Sequence, residues 1–215
     1  ANEPPSSVHT TSLPELLSKS EITVLLSTYQ AGKLIIIRED GKTANTHFRT
    51  FDIPMGVAFD RGRLAVGTDT AVWDFRNQPA VAAKVPPHGK HDACFLPRQV
   101  HYSGQIAIHE IAWSGSDLWA VNTRFSCLCT FDRESSFVPR WRPPFVSALA
   151  PEDRCHLNGF CLVDGLPKYV TALGATDTPA GWRANKRNGG LLVEVPSGRV
   201  IASGLSMPHS PRWYD

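Results

Sequence analysis

Two histidines and an asparagine fall at one recurring position of this sequence, and chemistry is expected there. His109, Asn158 and His209 each open a short apolar run, as does Met55, and successive positions lie 54, 49 and 51 residues apart. Neutral imidazoles gathered with an amide can hold a divalent metal, bind an anion or move protons. Glu110 directly follows His109 and offers a ligand or a base. His156 lies two residues before Asn158, a spacing that on a strand sets both on one face. The candidate catalytic groups are therefore His109, His209, Glu110 and His156. His109 and His209 are also the candidate ligands of a divalent metal. Asn158, Asn122 and Arg124 are the candidate ligand-binding residues for a small-molecule ligand or substrate. A guanidinium such as that of Arg124 suits a carboxylate or phosphate. The plainer alternatives are polar groups that bond one another and trapped water, and an Arg124 paired with an acid.

The elements that must position these residues form a pattern. Met55 to Leu64 aligns without a gap on His109 to Leu118, with Val57 over Ile111, Ala58 over Ala112 and Phe59 over Trp113. A second strand follows each copy. A third copy starts at Asn158, a fourth at His209, and a weaker unit lies earlier, over Ile22 to Leu26 and Leu34 to Ile37. Two short strands and a variable remainder in a unit of roughly 40 to 50 residues predict a blade of a β-propeller. The expected fold is all-β: a propeller of about four blades plus the start of another over residues 21–215, after an N-terminal arm at 1–20. Within that arm Ser12 to Leu17 reads as a helical turn or two with Ser12 as N-cap. Asp215 falls inside an inner hairpin, so the expected ring is incomplete, with the remainder missing or supplied by a second chain. The first strands of a propeller line its channel, and their starts meet at one axial mouth.

Composition narrows the classes further. The chain has 215 residues, 42% of them hydrophobic, with Lys+Arg 22 against Asp+Glu 20. That balance gives no reason to expect nucleic acid, and no stretch approaches the ~20 apolar residues of a membrane span. Motifs for serine hydrolysis, nucleotide hydrolysis, zincin proteolysis and dinucleotide binding are absent. Five cysteines, an odd number, with no signal-peptide pattern predict reduced thiols and a cytoplasmic location. Cys127 and Cys129 share a strand face and read as small buried side chains. Asp69 and Asp177 read as turn caps. Arg140 to Phe145 reads as an outer edge strand stopped by Pro143-Pro144. The loop Gly174 to Gly190, with Trp182 and three cations, reads as a lid, a partner surface or a solvated loop.

Several stretches are distinctive: STYQAGKL (Ser27 to Leu34), NTRFSCL (Asn122 to Leu128), FVPRWRPPF (Phe137 to Phe145), EDRCHLNG (Glu152 to Gly159), TALGATDTPAGWR (Thr171 to Arg183) and MPHSPRW (Met207 to Trp213). They resemble a bacterial family of conserved hypothetical proteins, a domain of unknown function with propeller-like character, some of whose members carry tetratricopeptide repeats. The resemblance spans about Leu13 to Asp215. It implies that this chain is an N-terminal part, since members continue into further blades beyond MPHSPRW. It places His156, Asn158 and His209 in signature segments and brings no activity. Two functions stay open. One is an enzyme of unknown specificity with a His-lined site at the axial mouth, with or without assistance from a divalent metal. The other is a non-catalytic binding module, with a channel plugged by Met55 and aromatic residues and with exposed apolar or Trp-rich loops.

Overall fold

The computed structural model describes residues 7–214. The chain is all-β, and it divides into two compact units, one up to Pro54 and one from Met55 onward. The first unit holds a helix α1 (Leu13–Lys19) and an antiparallel meander of β1 (Val24–Thr28), β2 (Lys33–Asp40) and β3 (Thr43–Thr50). Pro14 starts the helix where a missing N–H costs nothing, and Lys19 pairs with Glu15 at 2.7 Å one turn earlier. Ser12 occupies the N-cap position as expected, yet its side chain makes no capping bond, because its backbone is already helical (φ −83°, ψ −15°). Pro14 and Leu17 are the buried positions of the helix, which packs on β2.

The second unit is built from three four-stranded antiparallel sheets with one plan. The first is β4 (Val57–Asp60), β5 (Arg63–Gly67), β6 (Ala71–Asn77) and β7 (Phe95–Tyr102). The next is β8 (Ile108–Ser114), β9 (Asp117–Asn122), β10 (Cys127–Thr130) and β11 (Val138–Trp141). The last is β12 (Leu157–Val163), β13 (Leu166–Ala172), β14 (Gly190–Glu194) and β15 (Val200–Leu205). In each, strands pair in chain order. Arg61-Gly62 and Asp164-Gly165 join first to second strands with φ positive at both residues, as a type I′ hairpin turn requires.

The sheets pack face to face. Cys127 and Cys129 point into the apolar layer shared with Ala58, Ala65 and Val72 of the first sheet, whereas Leu128 between them joins Leu157, Phe160 and Val170 of the last. That alternation is the strand period at work, and it puts apolar side chains on both faces of the middle sheet. All four residues of β10 are buried, so the two thiols serve as small core side chains. Burial pushes Cys127 up to about 12 and Cys129 well above the ordinary thiol value, so neither is nucleophilic near neutral pH. The first strand β8 lies against both β4 and β12. At the far edge of the middle sheet β11 ends before Pro143-Pro144, as the sequence suggested.

One backbone feature recurs at the entry to the first strands. Ala107, His156 and Met207 all have positive φ (53°, 48° and 44°), each two residues before His109, Asn158 and His209. Ile53, two residues before Met55, does the same at 46°. A left-handed conformation at a residue with a Cβ costs about 1 kcal/mol or more, so its return at four matched positions marks a shared turn, which at three of them leads into β4, β8 and β12. Among the described residues, no helix is long and apolar enough to cross a membrane.

Candidate functional site

The start of β8 fixes His109. Its Nδ1 lies 3.0 Å from the Ala107 carbonyl and 2.8 Å from the Thr123 hydroxyl. The Thr123 hydroxyl is itself 2.7 Å from the Leu157 carbonyl and donates there, so it accepts from the imidazole. A carbonyl can only accept, and the Nδ1 of His109 therefore carries the proton. Burial pushes His109 down to about 4, helped by His156 and His209 and opposed by the Ala107 carbonyl and Asp153. At neutral pH it is an uncharged ring with a lone pair on Nε2.

His156 sits edge to face with it, ring centroids 4.8 Å apart. The expectation that His156 shares a strand face with Asn158 fails here. The strand β12 begins only at Leu157, and the left-handed backbone of His156 breaks the alternation. Its ring turns instead toward Asp153, which is also left-handed (φ 49°). Both carboxylate oxygens lie 2.9 Å from Nδ1 of His156. The indole N–H of Trp182 donates to Oδ2 of the same carboxylate at 3.0 Å, and the Trp182 ring lies 4.3 Å from the His156 ring, centroid to centroid. Asp153 thus holds two donors and fixes the imidazole as the Nδ1–H tautomer, with the lone pair on Nε2. The short 3-10 helix Gly181–Asn185 carries Trp182 into place and buries it, so the loop Gly174 to Gly190 is folded over the site rather than solvated at that point. Arg183 and Lys186 lie 4.5 Å and 5.5 Å from the Trp182 ring.

His209 stands exposed beside this pair, close enough that His156 contributes to lowering its pKa, after desolvation. Three of the predicted histidines thus gather. Glu110 does not join them. Its partners are Arg212 at 2.5 Å and the Phe160 N–H at 3.1 Å, while Oε2 lies where a Cβ on Gly159 would intrude, 2.5 Å from it. Burial raises its pKa and Arg212 opposes the rise. Glu110 ties β8 to β12 and to the segment after β15, a structural task on a different set of partners from those of His109.

The binding candidates fall at the same strand ends. Asn122 ends β9 and is fully buried; its Oδ1 accepts the Phe125 N–H at 2.9 Å, and its Nδ2 has no partner. Asn158, 3% exposed, likewise leaves Nδ2 unpartnered. Arg124 is half-buried and clamped by its backbone: its N–H reaches the Ile106 carbonyl at 3.2 Å and its carbonyl accepts the Asp153 N–H at 2.9 Å. Asp177, expected to cap its own turn, instead accepts from the Ser147 N–H and from Arg154, both distant in sequence, and so ties its loop to the segment before β12. Among the described residues, no group of three or more His, Cys, Asp or Glu side chains is disposed to hold a metal ion. Asp153 and Thr123 are not among the residues the sequence singles out, and Trp182 stands out there only as part of a loop. The signal for Asp153 was its place three residues before His156, legible as a pair only once both residues turn left-handed.

These features define an all-β protein of serial four-stranded sheets, with an imidazole cluster formed by His109 and His156 at the starts of β8 and β12 and by His209 in the segment after β15. The chain belongs to the family described as Domain of unknown function (DUF4915), whose model matches residues 11–215. No curated protein matches it.

Proposed function

We propose that the chain is an enzyme that moves a proton at His156, in a site at the axial mouth of a β-propeller whose blades include the three four-stranded sheets. Supporting the propeller are their common meander order, their face-to-face packing, the adjacency of β8 to β4 and β12, and the positive φ two residues before each register position. The five cysteines, all without a disulfide, fit a reducing cytoplasmic compartment.

The observation that carries the enzymatic reading is the Asp153–His156 pair. A carboxylate on Nδ1 holds the imidazole in one tautomer and stabilises the imidazolium once Nε2 has taken a proton, which is the arrangement of a general base. Nε2 of His156 takes the proton from a substrate or from water. His109, held uncharged beside it, accepts a hydrogen bond from a substrate O–H or N–H and orients it. His209 at the rim supplies a third exchangeable proton. Trp182 shields the Asp153 carboxylate from water and so strengthens its hold on His156. The non-catalytic binding reading asks for exposed apolar or Trp-rich loops; Trp213 and Tyr214 are exposed, but the tryptophan beside the histidines, Trp182, is buried against His156, which supports the enzyme.

The test is conversion of small molecules. The full chain is incubated with a metabolite mixture, and time-dependent losses and gains are followed by mass spectrometry. The expected result is turnover of a small molecule that falls at least about 100-fold in His156→Gln and in Asp153→Asn, since acid–base groups typically contribute that much. Turnover unaffected by both variants, or saturable retention without conversion, overturns the reading.

A further inference from the structure

Around the proposed base, the groups left without partners are donors and cations. Four arginines from Met55 onward are half-buried: Arg63, Arg76, Arg124 and Arg154. Arg63 is paired with Asp60, Arg76 with Asp74, and Arg154 with both Glu152 and Asp177. The Arg124 guanidinium alone has no acidic partner among the described residues. A partly desolvated cation without a counter-charge is costly, and an arriving anion relieves that cost. Arg124 is also fastened where it matters, between the strand entry that holds His109 and the loop that holds Asp153, through its bonds to Ile106 and Asp153.

Two independent observations point the same way. Asn122, two residues before Arg124, keeps a buried and unpartnered Nδ2; its amide cannot be turned over, because Oδ1 already takes the Phe125 N–H. On the loop whose Trp182 packs against His156, Arg183 and Lys186 rest on the Trp182 ring and pair with no carboxylate among the described residues. The nearby acids are spoken for: Asp153 by His156 and Trp182, Glu152 and Asp177 by Arg154.

Resting on the enzymatic reading above, we infer that the substrate carries an anionic group, a carboxylate or a phosphate, bound at the Arg124 and Trp182 sides of the histidine cluster while His156 acts on a neighbouring proton. Arg124 and the Asn122 amide supply hydrogen-bond donors, and Arg183 and Lys186 supply field and attraction from the loop.

The experiment titrates the full chain with inorganic phosphate and separately with acetate, following the Trp182 indole N–H and the Asn122 amide by NMR. At least one anion is expected to shift both signals saturably. Its affinity should fall about tenfold or more in Arg124→Gln, less in Arg124→Lys, and severalfold in Arg183→Ala/Lys186→Ala. Stronger phosphate binding identifies a phosphorylated substrate, and stronger acetate binding a carboxylic acid. No shift with either anion, or unchanged affinity in both Arg124→Gln and the double variant, overturns the inference. Turnover of a neutral or cationic compound without binding of either anion defeats the anionic class and leaves proton transfer standing. Anion binding as expected with no turnover of any compound does the reverse.

Discussion

The two ends of the middle sheet are built by opposite rules. At the hairpin end, between β8 and β9, Gly115 takes the positive φ, and Arg63 from the neighbouring sheet reaches across to the Gly115 carbonyl. The same Arg63 is paired with Asp60 and stacks 4.1 Å above the Trp113 ring. Charge there meets charge, and the left-handed turn of this hairpin falls on glycine. At the other end, left-handed φ falls on Ala107, Ser126, Asp153 and His156, none of them glycine. Three histidines crowd together, a half-buried arginine has no acid, and a buried amide lacks an acceptor. Both ends belong to the same strands and draw on the same core. The difference is the one the proposed function requires: local rules are obeyed at the hairpin end and broken at the end where the site is proposed.

The largest effects expected belong to neither end but to the layer between sheets. Phe160→Ala removes a fully buried ring and should cost about 3–5 kcal/mol in denaturant unfolding. His156→Ala, at the functional end, should cost far less; equal losses would mean the histidine is a core residue and erase the contrast. Next comes Glu110→Ala, which strands Arg212 and the Phe160 N–H and should cost about 1–3 kcal/mol in the same measurement while leaving the tautomers of His109 and His156 unchanged. A change in either imidazole spectrum would make Glu110 part of the site after all.

Acid sensitivity sharpens the comparison further. His109 takes up a proton near 6.5 when unfolded and only near 4 when folded. Between those values the unfolded chain binds more protons, so this contribution is full above about 6.5 and is lost as pH falls toward about 4. His109→Gln should flatten that part of the stability profile, and an unchanged slope would show that His109 is not held neutral by the fold. The smallest expected effect is at the hairpin end: Arg61→Ala, whose side chain is 93% exposed beside Asp60, should move stability by less than about 0.5 kcal/mol. A larger loss would mean that the ion pairs of that end carry more of the fold than solvent-exposed charges can.

Much of this architecture is readable from residues alone, because it rests on short-range rules. The gapless alignment of Met55 to Leu64 on His109 to Leu118 becomes the paired hairpins β4–β5 and β8–β9. Cys127-Leu128-Cys129 alternates between two cores as a strand must. Of the site, His109, His156 and His209 are legible by position. Asp153 and Trp182 are not, since their roles depend on left-handed turns at Asp153 and His156 and on a loop that returns from beyond β13 to the start of β12. Period-two reasoning assigns a face only inside a strand, and His156 lies one residue outside. Glu110 illustrates the converse: adjacency in sequence to His109 suggests shared work, and the strand sends the two side chains to different partners.

The most direct test of the account is the protonation pattern of the imidazoles, read by long-range proton–nitrogen NMR on the full chain at neutral pH and on acidification. The account predicts Nδ1–H on both His109 and His156, an unprotonated Nε2 on His109 that persists until the pH nears about 4, and a His156 Nδ1–H resonance that moves in Asp153→Asn. A proton on Nε2 of neutral His109, or a His156 spectrum indifferent to Asp153→Asn, would contradict the carboxylate-oriented base on which the proposed function stands.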